Sequence, residues 1–306
     1  MIGKSHFALR EIMLDGPDEW SGRGSGVAES GKRGLLAPLV LAVALGLSAC
    51  GGGGDIIGSL EGMSAEQIYQ TGEAELARNR AGDAATYFAE IERLYPYSEW
   101  ARRGLVMAAY SYHRDRDYDN ARAAAQRYLD FYPASGDAAW AQYLLALSYY
   151  DQIDEIGRDQ GLTFQALMAL RTLIETWPDS EYTQDAILKF DLAFDRLAAK
   201  EMEIGRYYLS RGHYNAAVNR FRVVVADFQT TSQTPEALYR LVEAYLSLGL
   251  NAEAQTAGAI LGHNYQATDW YRDAHVLLTG RGLRPEAGGD SWLAQIYRQM
   301  IRGEWL

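Results

Sequence analysis

The chain has 306 residues, 48% hydrophobic and 23% charged, with 29 Lys and Arg against 40 Asp and Glu, for a formal net charge of −11. That balance suits one or two globular domains or a repeat array, and it excludes an ordinary nucleic-acid binder, which needs a basic footprint to displace counterions from phosphate. A single cysteine excludes an intramolecular disulfide framework and a cysteine-built zinc cage, and the five histidines (His6, His113, His213, His263, His275) lack metal-ligand spacing.

The only long apolar run, Leu35 to Ala49, follows Lys32-Arg33-Gly34. As a helix it spans roughly 22 Å, short of the ~30 Å hydrocarbon core. A basic flank, a short apolar stretch and small residues at its end describe a secretion signal. The end, Leu47-Ser48-Ala49-Cys50, resembles the bacterial lipobox. That resemblance implies removal of residues 1–49 and a lipid on Cys50, whose nucleophilic sulfur takes up a diacylglycerol. Gly51 stands where many bacteria place the Asp that retains a lipoprotein in the inner membrane, so the expected address is the outer membrane, facing the periplasm. The segment Met1 to Gly34 is long and mixed in charge for a leader, and initiation at Met13 or Val27 is expected instead. The leader holds five basic and five acidic residues, so the 257 mature residues keep the whole −11. Residues 50–63 read as the lipidated Cys and a glycine-rich tether, which at ~5–6 Å × √n holds the folded part about 20 Å from the bilayer.

From Ser64 the pattern turns helical. Ser64 with Gln67 forms a capping box, and Ile68, Leu76, Ala85, Phe88, Ile91 and Leu94 recur at helical spacing, with a break at Gly82-Asp83. A punctuation motif, aromatic-[Pro/Gln]-x-[Ser/Thr], then begins at Tyr95, Tyr132, Trp177, Phe228 and Tyr265, at intervals of 37, 45, 51 and 37 residues. An aromatic packs at the end of one helix, Pro stops it, and Ser98, Ser135, Ser180, Thr231 or Thr268 caps the next. Twelve residues before the first four Pro/Gln positions stand Ala84, Ala121, Ala166 and Ala217, small enough to let two helices approach closely. Two helices per unit with this punctuation resemble tetratricopeptide repeats. The expected fold is all-α: a right-handed superhelix of about five helix pairs over 64–266 (64–97, 98–134, 135–179, 180–230 and 231–266), with capping helices over 267–306. The long third interval is expected to hold a loop over Asp154 to Thr163, and the fourth a helix from about Ser180 to Ser210, roughly 46 Å long and closed by Gly212. After a helix over Thr268 to Leu278 and a Gly-rich loop, Ser291 is expected to cap a last amphipathic helix carrying Trp292, Leu293, Ile296, Tyr297, Met300 and Ile301.

Several segments are more specific than a generic repeat: Phe194-Asp195-Arg196-Leu197-Ala198-Ala199-Lys200-Glu201, Tyr207-Tyr208-Leu209-Ser210-Arg211-Gly212, and Ala217-Val218-Asn219-Arg220. With the turns Leu94-Tyr95-Pro96-Tyr97-Ser98 and Trp177-Pro178-Asp179-Ser180-Glu181-Tyr182-Thr183, they resemble the BamD family over roughly residues 64–262. These are tetratricopeptide lipoproteins of the outer-membrane β-barrel assembly machinery. The resemblance implies a non-enzymatic scaffold with no cofactor beyond the covalent lipid on Cys50. Its implied partners are the periplasmic domains of a BamA-like core barrel subunit, bound by the C-terminal half, the other assembly lipoproteins, and unfolded outer-membrane proteins, received by the N-terminal half. Arg220 is then either a bidentate contact for a partner carboxylate or one half of an internal salt bridge with the long helix. Arg158-Asp159 matches an Arg-Asp pair in the corresponding family loop, or is solvated loop charge. Tyr110, Tyr112 and Tyr128 either line a groove for extended substrate peptide or belong to the inter-helix core.

Enzyme signatures are weak. Ala28-Glu29-Ser30-Gly31 has a superficial likeness to a lytic transglycosylase motif but lies in the removed leader. The carboxylate pairs Asp115/Asp117 and Asp154/Glu155 sit in polar segments, without the apolar pocket that raises a general acid's pKa. No nucleophile elbow or phosphate-binding loop is present. The competing reading is a periplasmic repeat lipoprotein serving peptidoglycan synthesis or cell division, which would keep the punctuation but not the Asp195–Arg220 block.

Overall fold

A computed structural model describes residues 60, 62–153, 159–287 and 292–298. The leader, Cys50, Arg158, the expected cap Ser291 and the expected helical residues Met300 and Ile301 lie outside the described residues. Every regular element among the described residues is a helix: α1 Ala65–Ala77, α2 Ala81–Leu94, α3 Glu99–Arg114, α4 Tyr118–Phe131, α5 Ala138–Tyr150, α6 Gly161–Thr176, α7 Thr183–Ser210, α8 Tyr214–Asp227, α9 Thr234–Leu248, α10 Asn251–Asn264, α11 Asp269–Thr279 and α12 Trp292–Tyr297. None of them is long and apolar enough to cross a membrane. The described chain divides into two bodies, one ending at Ser148 and one beginning at Tyr149. In the first, α1 packs on α2, α2 on α3 and α3 on α4; in the second, α6 packs on α7, α7 on α8, α8 on α9 and α9 on α10, with α11 against α9 and α10.

One turn recurs inside the hairpins. Asn79, Arg116, Gly212 and Gly249 all take the left-handed conformation, with φ of 60°, 63°, 76° and 75°. Each stands just past a helix end. The residue after each donates its N–H to a carbonyl five residues back, as in Arg80 to Glu75 (2.9 Å), Asp117 to Tyr112 (2.9 Å), His213 to Tyr208 (3.0 Å) and Leu250 to Tyr245 (2.9 Å). This is the Schellman closure, which satisfies carbonyls left open at a helix end. The break in the first unit therefore falls at Asn79, and Gly82, where it was expected, lies inside α2.

Between hairpins, all five punctuation aromatics are the C-caps of α2, α4, α6, α8 and α10. Ser98 and Thr268 cap the following helix through their side chains, accepting from Ala101 and Tyr271. Ser135, Ser180 and Thr231 do not: the chain makes a further turn, and α5, α7 and α9 start three residues later. The hydroxyls at the two later junctions instead close the preceding helix. Thr183 donates to the Trp177 carbonyl (2.6 Å), and Thr231 and Thr234 to that of Phe228 (2.8 and 2.9 Å). Gln229, in place of Pro, turns its side-chain amide onto the Ala226 carbonyl at 3.2 Å. The long helix α7 thus has 28 residues, about 42 Å, rather than 46 Å. The insertion gives up Gly161 to Thr163 to α6.

The alanine register marks the hairpin cores. Ala84, Ala121, Ala166 and Ala217 are fully buried, and so is Ala254, which extends the register to the fifth pair. Twelve residues before Ala84 and Ala217 stand Gly72 and Gly205, and four residues after them stand the buried Phe88 and Phe221. A Cβ on Gly72 would lie 2.8 Å from the Phe88 ring, and one on Gly205 would lie 2.4 Å from the Phe221 ring. Where the second helix instead carries Ala125 or Gly258, the first carries Ala109 or Val242. Where a ring stands on one helix, as at Phe88 and Phe221, glycine stands opposite it on the partner, as close packing requires.

Candidate functional site

The segment that marks the family resemblance is held by α7 and α8, and its polar groups are engaged within the chain. The Asp195 carboxylate accepts from the Ser232 backbone N–H (2.8 Å), the Ser232 hydroxyl (2.7 Å) and the Gln233 amide (3.1 Å), tying α7 to the turn that starts α9. Beside it Phe194 packs on Phe228, with ring centres 4.8 Å apart. Arg220 of α8 pairs with Glu201 of α7 at 3.1 Å, its side chain 43% exposed. Of the two readings of Arg220, the internal salt bridge is therefore present, and the guanidinium keeps an open side. It borders a depression of about 270 Å³ with Tyr208, Ala216, Asn219 and Val223. Tyr208 and Ala216 also line a neighbouring depression of about 550 Å³ with Gly212, His213, Tyr214, Asn215 and Leu248. Burial raises the Asp227 carboxyl above the usual range; nearby Arg222 opposes this and Glu201 reinforces it.

A second polar line, not anticipated from the sequence, joins α7, α9 and α11. Arg206 pairs with Glu236 (2.9 Å), and Arg240 pairs with Glu236 (3.2 Å) and Glu243 (2.7 Å). The Arg240 guanidinium lies over Tyr239 at 5.2 Å and over Trp270 at 5.7 Å, and the two rings are 5.4 Å apart. Tyr239 donates to Glu243, and burial followed by the Glu243 charge pushes its hydroxyl up to about 12. The legible signal was the spacing Glu236, Tyr239, Arg240, Glu243, a single helix stripe.

In the first body the three candidate tyrosines do not share a surface. Tyr128 is fully buried, with its hydroxyl 2.9 Å from that of Ser135, so it lines no groove. Its place was written in the sequence, since Ala121, Ala124, Ala125 and Tyr128 recur at core spacing. Tyr112 is half-buried, and burial, then the Asp117 charge, raises its hydroxyl's pKa. Tyr110 faces the other way, 5.6 Å from the Trp140 ring. It belongs to a stripe along α3, Trp100, Arg103, Tyr110 and Arg114, in which Arg103 lies over Trp100 (5.1 Å) and Arg114 over Tyr110 (5.8 Å). Tyr69 of α1 adds a ring 5.0 Å from Trp100. Asp159, exposed at the entry to α6, accepts from the Gly161 N–H at 3.2 Å. Among the described residues no group of three His, Cys, Asp or Glu side chains is placed to hold a metal ion.

Tight αL-closed hairpins, aromatic punctuation and polar motifs spent on joining one hairpin to the next define a tetratricopeptide-type scaffold. The match to known sequences is narrower than that. The chain belongs to the YfiO family, described as outer membrane lipoprotein, which matches residues 61–260. It is 48% identical over 220 residues to the outer membrane protein assembly factor BamD of Caulobacter vibrioides, covering 72% of each chain. It is 39% identical over 211 residues to BamD of Rickettsia prowazekii, covering 69% of this chain and 84% of that one. It is 29% identical over 240 residues to BamD of Neisseria meningitidis serogroup A, covering 74% and 90%.

Proposed function

We propose that the protein is an outer-membrane protein assembly factor, a non-catalytic scaffold held at the periplasmic face of the outer membrane by a lipid on Cys50. The observation that carries this reading is membership of the outer-membrane lipoprotein family across 61–260, with assembly factors named BamD among its relatives. That favours barrel assembly over an adaptor for peptidoglycan synthesis. The second body binds the periplasmic domains of a BamA-like core subunit near Arg220, where the open side of the guanidinium and the adjoining depressions offer a carboxylate clamp and apolar contact. Arg158 and Asp159 make a further contact with the machinery, and the other assembly lipoproteins complete the complex. Unfolded outer-membrane segments are received along the α3 stripe, where Tyr110 takes part with Trp100 and Trp140. Half-buried rings interleaved with Arg103 and Arg114 suit aromatic-rich chains passing along them without a fixed sequence. No cofactor is needed, and nucleic acid is not a partner.

The test is co-isolation with Arg220→Ala. The variant is expected to keep its helicity and lose most of the core subunit; unaltered recovery would remove Arg220 from the interface.

A further inference from the structure

The last helix lies beyond the family-matched stretch, yet it is packed into it. In α12, Leu293 is fully buried and Ala294 and Ile296 nearly so. The helix rests on α10. Its indole N–H, on Trp292, donates to the hydroxyl of Tyr245 of α9 at 3.1 Å, and the Arg222 guanidinium of α8 lies 4.8 Å over the indole. Tyr245 is itself 3% exposed, so its hydroxyl meets the indole at the rim of the core. A helix of six residues is far too short to persist alone in water, so the surface beneath it supplies its order. Most of that surface lies within the family-matched stretch: Arg222, Tyr245 and most of α10 fall within residues 61–260. Between α11 and α12, residues 283–287 form no regular element.

We infer that α8, α9 and α10 form a binding site for a short amphipathic helix, which this chain fills with its own C-terminal segment. The site recognises an indole by an acceptor hydroxyl at its edge and a cation over its face, and takes apolar side chains one and four residues further on, the pattern Trp292-Leu293-x-x-Ile296. A helix of the same pattern from another protein would compete with the tail for it.

The test uses the full mature chain and a labelled peptide of residues 288–306. In the Trp292→Ala chain, amide exchange of residues 292–298 is expected to rise at least about tenfold, since a tenfold change reflects only part of what a packed, half-buried aromatic contributes, with α1 to α4 unchanged. The peptide is expected to bind this variant saturably, at least about tenfold more tightly than the parent chain, whose site is filled. Adding Arg222→Ala should weaken that binding, and a peptide with Trp292→Ala should not bind. Should Trp292→Ala lose helicity, Ile296→Asp serves in its place. Equal binding to parent and variant, no saturable binding to either variant, or unchanged exchange in the tail would overturn the inference.

Discussion

Replacing Gly205 by alanine tests the packing rule that builds the hairpins. The new Cβ would sit 2.4 Å from one Phe221 ring atom and 2.8 Å from two more, in a site where Phe221 is fully buried. Overpacking of this kind costs about 1–3 kcal/mol, and three contacts inside 3.0 Å place it at the upper end. Alanine returns about 1 kcal/mol of helix propensity. The net loss is therefore about 2 kcal/mol, and a body of this size should melt roughly 4–8 °C lower. Phe221→Leu removes the ring edge that the Cβ meets, so the double variant should be more stable than the sum of the single effects by about 1 kcal/mol or more. Urea unfolding of the four members of the cycle, followed by helical dichroism, gives the coupling directly. A Gly205→Ala protein as stable as its parent, or additivity within about 0.5 kcal/mol, would show that the ring and the glycine are not packed against each other.

Other expectations follow from single contacts. Asp195→Ala removes the acceptor shared by Ser232 and Gln233 and should cost about 1–2 kcal/mol in urea unfolding, in the range of a lost helix cap; an unchanged midpoint would deny it that role. The Arg220–Glu201 pair is half-exposed, so Glu201→Gln should shift stability by less than about 1 kcal/mol; a larger loss would make the pair structural first. Tyr239 titrates near 12 when folded and near 10 when unfolded, so its contribution is whole below pH 10 and is lost as pH rises toward 12. Stability should therefore fall across that window, and less in Tyr239→Phe; equal slopes would contradict the assignment. Cys50→Ser should release the mature protein from washed outer membranes, whereas continued tight attachment would refute the lipid anchor.

The helix ends were legible because they rest on local chemistry. An aromatic before Pro or Gln, with Ala twelve residues earlier, marks a second helix whatever surrounds it, and Ala254 shows that the register runs further than the sequence reading followed it. The turns inside the hairpins were harder. Gly212 announces a left-handed residue, whereas Asn79 and above all Arg116 take that conformation because the Schellman closure and the packed helices impose it. Ser135, Ser180 and Thr231 do not cap the next helix directly because their hydroxyls find other local partners: Ser135 meets the Tyr128 hydroxyl, Ser180 accepts from the Tyr182 N–H, and Thr231 closes the helix behind. At the candidate site, Asp195 and Arg220 were found by family-like pattern, but their partners Ser232, Gln233 and Glu201 are contacts between helices that periodicity does not specify. Of the two readings open for Tyr128, the core is the one the structure bears out, and its own helical spacing points there.

These hairpins serve the assembly of outer-membrane proteins. Isolation of the tagged protein from detergent-solubilised outer membranes, with its companions quantified by mass spectrometry, tests that role most directly. The expected result is recovery of a core barrel subunit with periplasmic domains, reduced by Arg220→Ala. Recovery of a peptidoglycan synthase or division complex without that subunit would contradict it.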